Sequence, residues 1–284
     1  MDQLGKVTLY TFELFGKSIT INPIPIIMMW IVMALLVLIS IFSTRRFKMV
    51  PGKIQSIFEL IYEFLEEITV STLGKKDGPK YVPFIVTLFI FILVANYIGI
   101  FPNLLQFCGT VIALVHKLFG GDVVFTGEGL TATQLVLNQQ YWYGFLLEAP
   151  FLEEPTKSVN TDLALGLIVF LLVHAYGIKN KGVYKYIRSF ADDPFEMKGP
   201  LILFFFLNPF FYLNLIGMIA NVVSHSFRLF GNIFGGSMII VIVSSLLKYF
   251  LMPVGLFAFF GLFSGLVQAF VFTMLAVTYI QQQQ

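Results

Sequence analysis

The chain has 284 residues, 57% of them hydrophobic and only 12% charged, with 33 phenylalanines and a mean hydropathy of +0.85. Soluble domains carry roughly 25% charged residues, so this composition excludes a water-soluble protein and predicts an all-α integral membrane protein. A net charge of +2 implies no nucleic acid or other polyanion as partner, and a single cysteine, Cys108, excludes an intrachain disulfide and a cysteine metal cluster.

A bilayer core of about 30 Å needs roughly 20 apolar residues in helical form. Residues 1–23 form an external tail with Asp2, Lys6, Glu13 and Lys17. Within it, residues 8–22 alternate weakly around Gly16 and Lys17, as either a small hairpin or an ordered tail. The first span is residues 24–42, retained rather than cleaved because no small-residue processing site follows it. Residues 51–72 then predict an amphipathic cytoplasmic helix, with Pro51 in its first turn. Ile54, Ile57, Phe58, Ile61, Phe64, Leu65 and Ile68 recur at helical spacing, and Glu59, Glu63, Glu66 and Glu67 fill the polar side. Helices that lie on lipid usually carry Lys and Arg there, so the acidic face leaves a protein partner and a purely interfacial helix as equal readings.

The second span is residues 82–101, closed by Pro102. An external segment, 103–160, mixes Gly, acids and aromatics, including Trp142, and is expected to cover the outer end of the bundle. Cys108 and His116 within it are read as structural. A third span covers 161–178. Residues 201–252 and 254–280, separated by Pro253, complete about five membrane helices as a long, strongly tilted hairpin.

Basic residues set the orientation. Arg45, Arg46, Lys48, Lys53, Lys75, Lys76 and Lys80 lie between spans one and two, and Lys179, Lys181, Lys185, Arg188 and Lys198 follow span three. The segment between spans two and three has only Lys117 and Lys157 against Asp122, Glu128, Glu148, Glu153 and Glu154. The positive-inside rule places both basic loops in the cytoplasm. The N-terminus is then outside and the C-terminus cytoplasmic.

One residue stands apart. Even from Pro209 onward, the helix to Phe250 would be about 60 Å long at 1.5 Å per residue, twice the hydrocarbon thickness. It must tilt steeply or kink near Asn232. Arg228 lies in its middle, and residues 199–284 hold no other charge except Lys248. An arginine at mid-membrane costs about 2.5–3.5 kcal/mol on insertion scales and cannot shed its proton. Asp162 is the nearest intramembrane acid in the chain, at the end of span three, so the compensating carboxylate is expected on another subunit. Asn214, Asn221, His225, Arg228, Asn232 and Gly235 share an arc of about 80°, a polar line that reads as a wet path or an interface. Gly231/Gly235 and Gly261/Gly265 are close-packing pairs. Gln268 is the polar residue in the middle of the last helix, where the hairpin could bring its carbonyl to Arg228.

The run Ser224-His225-Ser226-Phe227-Arg228-Leu229-Phe230-Gly231-Asn232-Ile233 resembles the signature of the a subunit of F-type ATP synthases. Gln268 to Leu275, Ile100-Phe101-Pro102-Asn103 and Pro155 to Asn160 are similar to further stretches of that family. The resemblance implies a stator beside a rotating ring of c subunits, with two offset half-channels meeting near mid-membrane in a bacterial inner membrane. Arg228 would separate the half-channels and displace the ion from the ring carboxylate, while Asn232 and Gln268 would orient it and line the path. The acidic helix at 51–72 would face the b subunits of the peripheral stalk. No cofactor, metal or catalytic residue is implied; the phosphate chemistry belongs to other subunits of the complex.

The sequence departs from proton-coupled relatives at three places. Ser237 stands where many carry a carboxylate, Gly261 where a titratable partner is common, and Asn214 where some have an acid. Amides and small residues suit a hydrated cation, which favours sodium over the proton; His225 and His174 keep the proton open. His225 is otherwise a polar helix-face residue and His174 a structural one. The alternatives from other classes are a stand-alone secondary transporter, which often shows internal repeats that are absent from this sequence, and a membrane scaffold subunit.

Overall fold

A computed structural model of the chain describes residues 10–14, 17–45, 48, 50–100, 104–121, 123–127, 133–137, 142–144, 154–190, 209–247, 255–256 and 258–283. The expectations for residues 1–9, Phe101–Asn103, Lys198, 201–208 and 248–254 lie outside these.

The architecture is all-α, with five helices among the described residues long and apolar enough to cross a membrane. Two short antiparallel hairpins accompany them. β1 (Tyr10–Leu14) and β2 (Lys17–Ile21) resolve the N-terminal alternatives in favour of the hairpin. β3 (Val123–Gly127) pairs with β4 (Thr133–Leu137) inside the acidic segment, where no strand was expected.

Helix α1 (Pro23–Thr44) starts where Asn22 Oδ1 accepts a hydrogen bond from the Ile24 amide at 3.1 Å and Pro23 takes the first helical position. It is lightly held: Met28 and Val32 are its buried apolar residues, and Val32 packs with Ala95 and Ile98. Helix α2 (Lys53–Tyr97) joins the expected amphipathic helix to the second span. The two halves meet at Gly74, whose φ of 82° and ψ of 160° turn the chain sharply. The turn presses Gly78 onto the backbone of Val70; a Cβ at Gly78 would come 2.7 Å from the Val70 Cα.

Between α2 and the next crossing lie α3 (Leu104–Leu118) and Tyr143, whose hydroxyl is 2.8 Å from His116 Nδ1. His116 is thus a structural anchor, while Cys108 is exposed with a free thiol. Helix α4 (Val159–Lys181) is followed after Gly182 by the short α5 (Val183–Ser189).

Helix α6 (Pro209–Leu247) is continuous through Asn232, so its 39 residues extend roughly 58 Å without the kink allowed by the sequence. A π-helical segment, Ala258–Ser264, leads into α7 (Gly265–Gln281). Gly236 meets Phe260, Asn232 meets Ser264, and His225 packs on Phe272. One index falls as the other rises, so α6 and the last helical stretch run antiparallel, as the expected hairpin requires.

The core forms where α2, α4 and α7 converge, on Leu65, Ile85, Ile92, Val169, Phe272 and Ile280, with Leu229 arriving from α6. Leu65 belongs to the amphipathic half of α2, so this segment is partly built into the bundle. Ile57, Leu60 and Phe64 of the same half remain exposed.

Candidate ion path

The polar line on α6 falls on the border between its buried and open faces. Ser226, Leu229, Ile233 and Gly236 are buried, and Arg228, Asn221 and Asn214 are exposed. The residues between them divide: His225 is 2% exposed, while Asn232, Gly235 and Ser237 are half-buried. A stripe centred on the border lets one end of each polar side chain face the bundle and the other face a neighbour.

Arg228 points out of this chain. Among the described residues the single ion pair is Lys80–Asp77, at 2.7 Å in the basic region. No hydrogen bond is formed between Arg228 and Gln268, which sits 8% exposed in the interior with its amide nitrogen unpartnered. The structure therefore does not join the arginine to the glutamine as the hairpin geometry suggested. Beside Arg228, Gly231 and Gly235 have nothing within 4 Å of where a Cβ would stand. The close approach within this chain is made instead by Gly236 against Phe260 and by Gly265 against Tyr97 and Asn96.

On the side of Arg228 toward Lys179 and Lys181, a cavity of about 510 Å³ opens between α4, α6 and the C-terminal turn. Asn214, Asn221 and His225 line it from α6, His174 and Lys181 from α4, and Gln282 from the chain end. Asn214 Nδ2 donates to the Phe190 carbonyl at 2.9 Å. The His225 ring lies tilted against Phe272 with ring centroids 3.7 Å apart, and neither ring nitrogen has a hydrogen-bond partner. His174, read from sequence as structural, packs on Phe170, contacts the Met218 sulfur and also lines this cavity.

On the other side of Arg228 a second polar cluster ties five elements together. Ser264 Oγ donates to Asn232 Oδ1 at 2.5 Å, joining the π-helical segment to α6. Asn96 Nδ2 donates to the Gly265 carbonyl at 3.0 Å, and Thr156 Oγ1 donates to Asn96 Oδ1 at 2.8 Å. Tyr97 donates to the Leu262 carbonyl at 2.8 Å. Sequence reasoning missed Asn96, Thr156 and Ser264. Asn96 lies in an apolar helix without a charge beside it, and its partners come from 60 and 169 residues away. Ser237 donates to the Phe234 carbonyl of its own helix at 2.8 Å and joins neither cluster by a hydrogen bond.

Among the described residues no group of His, Cys, Asp and Glu is arranged to hold a metal ion. The arrangement is a cation on an open face, with a roomy polar cavity to one side and a tightly bonded polar cluster to the other.

A family model described as "ATP synthase A chain" matches residues 26–281. The chain is 32% identical over 272 residues to ATP synthase subunit a of Desulforamulus reducens, covering 93% of this chain and 80% of that protein. It is 33% identical over 253 residues to ATP synthase subunit a of Geotalea daltonii, covering 89% and 83%. It is likewise 33% identical over 269 residues to ATP synthase subunit a of Desulfosudis oleivorans, covering 94% and 91%.

Proposed function

The chain belongs to the ATP synthase A chain family, and from that premise we propose how its residues divide the ion path. It is the non-catalytic, ion-translocating membrane subunit of a bacterial F-type ATP synthase, a multi-pass inner-membrane protein that works with the c-ring. The observation that carries the finer reading is Arg228: exposed, without an acid partner among the described residues, and set between two polar regions of opposite character.

Arg228 faces the ring carboxylate. Attraction to the unloaded carboxylate displaces its ion, and the fixed positive charge keeps a cation from passing between the half-channels without rotation. Arginine suits this role because its guanidinium stays charged in a low dielectric. The open surface at Gly231 and Gly235 gives the ring helix room to approach. The cavity lined by Asn214, Asn221 and His225 is the half-channel at the basic, cytoplasmic end. The cluster around Asn232, Ser264, Asn96 and Gln268 borders the half-channel from outside. Each charge that crosses releases about 2.3 kcal/mol per 100 mV, which drives the rotor.

The coupling ion is sodium. Asn214 and Asn221 line the cavity with amide side chains, and Ser237 and Gly261 stand where titratable groups would serve a proton relay. The acidic side of α2, with Glu63 and Glu67 exposed, is the contact for the b subunits.

Arg228→Ala in the whole complex is expected to abolish coupled ATP synthesis while the complex still assembles; an unchanged synthesis rate overturns the stator reading. ATP hydrolysis by the whole complex, titrated with sodium near neutral pH, is expected to rise with sodium. A flat titration, with no sodium protection of the ring carboxylate from carbodiimide, overturns sodium coupling.

A further inference from the structure

Among the described residues, Asp162 is the one acid that the path described so far does not use and that lies deep in the bundle. Its side chain is 0% exposed, and neither carboxylate oxygen has a hydrogen-bond partner. It forms no ion pair. A carboxylate in such a place cannot remain an uncompensated anion in a membrane interior. It must be neutralised by a proton or by a bound cation.

Its position gives that requirement a use. On α4, Gly166 lies directly against Ser226 and Val222 of α6: a Cβ at Gly166 would run into the Ser226 hydroxyl and lie 3.5 Å from the Val222 carbonyl. Asp162 is one turn from Gly166 on the same buried face. Since α4 begins at the end away from Lys179 and Lys181, that turn is away from the basic end. Asp162 is therefore about one turn farther from the large cavity than Gly166, near the level of Arg228 and Leu229. Thr161 beside it is buried, as are Thr156 and Asn96, which bond to each other nearby in the chain's packing.

The elements packed on α4 bring no partner for the carboxyl. From α6 come Leu229 near its level, His225 buried a turn nearer the basic end and Arg228 on the outward face; from α7 come Gln268 and Thr273; from the turn before α4 come Thr156, Glu154 and Lys157. None of these bonds to Asp162.

We propose that Asp162 is a transfer site for the coupling cation on the external half of the path. Loaded, it is a neutral acid or a neutral carboxylate–cation pair; when the ion moves on toward the ring, one negative charge remains and is refilled from external water. It supplies the carboxylate that Ser237 and Gly261 do not. This rests on the stator reading, with sodium as the expected ion and the proton as the other arm of the test.

The test uses the whole ATP synthase. Wild-type complex is treated with a hydrophobic carbodiimide, which adds to a protonated buried carboxyl as an O-acylisourea, and the chain is mapped by mass spectrometry. An adduct at Asp162 that sodium suppresses at fixed pH supports sodium loading; one that only alkaline pH suppresses supports proton loading at the same site. No adduct while the ring carboxylate is labelled overturns the proposal. In membranes stripped of the catalytic sector, Asp162→Asn is expected to lower passive ion conductance roughly tenfold or more. Asp162→Glu is expected to conduct, with a shifted half-saturating sodium concentration or pH. An Asn variant that conducts at the wild-type rate, or an assembled Glu variant as inactive as the Asn variant, makes Asp162 a packing residue. Failure of the stator reading is seen separately, as retained coupled synthesis in Arg228→Ala.

Discussion

Asn232 and Ser264 bond to each other twice. The serine hydroxyl donates to the asparagine carbonyl at 2.5 Å, and the asparagine amide donates to the serine backbone carbonyl at 3.4 Å. That carbonyl belongs to a π-helical turn, where the ordinary helical ladder is interrupted. The pair therefore fixes α6 against α7 four residues beyond Arg228, and it sets where the arginine stands relative to the last helix.

Ser264→Ala removes the short bond and leaves Asn232 its weaker one. Such bonds in membranes are worth about 0.6 kcal/mol on average and at most about 1.7 kcal/mol. A small fall in thermal stability is expected, with coupled ATP synthesis partly retained. Asn232→Leu removes both bonds and is expected to lower synthesis further at similar subunit levels, measured in membranes with matched content of this chain.

Arg228→Lys tests why the cation is an arginine. Lysine lacks the planar fork and can lose its proton in a low-dielectric site. The variant is expected to assemble and to support little or no coupled synthesis. Synthesis at the wild-type level would mean that a point charge alone suffices.

Gly166 and Ser226 should compensate for one another. Gly166→Ala places a methyl group in the space of the Ser226 hydroxyl, an overpacking expected to cost about 1–3 kcal/mol. Ser226→Ala removes that oxygen, together with its 2.9 Å bond to the Val222 carbonyl. The double variant should recover much of the stability lost by Gly166→Ala, as read from thermal unfolding of the four proteins in a double-mutant cycle.

Gly74→Ala tests the corner in α2. No atom lies within 4 Å of the position that its Cβ would take, so space is no obstacle. The obstacle is the backbone: φ 82° and ψ 160° belong to a region essentially confined to glycine. A loss of about 1–3 kcal/mol is expected, with Gly52→Ala, also in open space but at ordinary φ, as the control.

Water access tests the cavity. After Cys108→Ser, Asn214→Cys and Asn221→Cys should react with membrane-impermeant thiol reagents from the cytoplasmic side, and Ile233→Cys, at a buried position, should not. Labelling from the opposite side only would reverse the orientation proposed from the basic loops.

The spans and the long last hairpin were legible because lipid demands a continuous apolar run of fixed length, a property of consecutive residues. Other features were not. The turn at Gly74 appeared as the end of one helix and the start of another, since Gly-Lys-Lys-Asp-Gly-Pro is polar and holds three helix breakers, and the closeness of Gly78 to Val70 does not follow from that pattern. The pairing of β3 with β4 lay in a segment without clear alternation. Gln268 was placed on the correct helix, but its direction relative to Arg228 depended on the rotation of one helix against another, which periodicity leaves open.

By itself the sequence determined that Arg228 is a charge without an acid on its own or the following helix, because composition alone shows that residues 199–284 carry no acid. Only the tertiary structure decided which way that charge faces and what flanks it. The rotation of α6 is fixed by burying Leu229, Ile233 and Gly236 against the bundle, and this turns Arg228 outward while His225 goes in. The contact of Gly166 with Ser226 likewise sets the level of Asp162. Packing between elements far apart in the chain thus converts a polar line into two polar regions with an arginine between them.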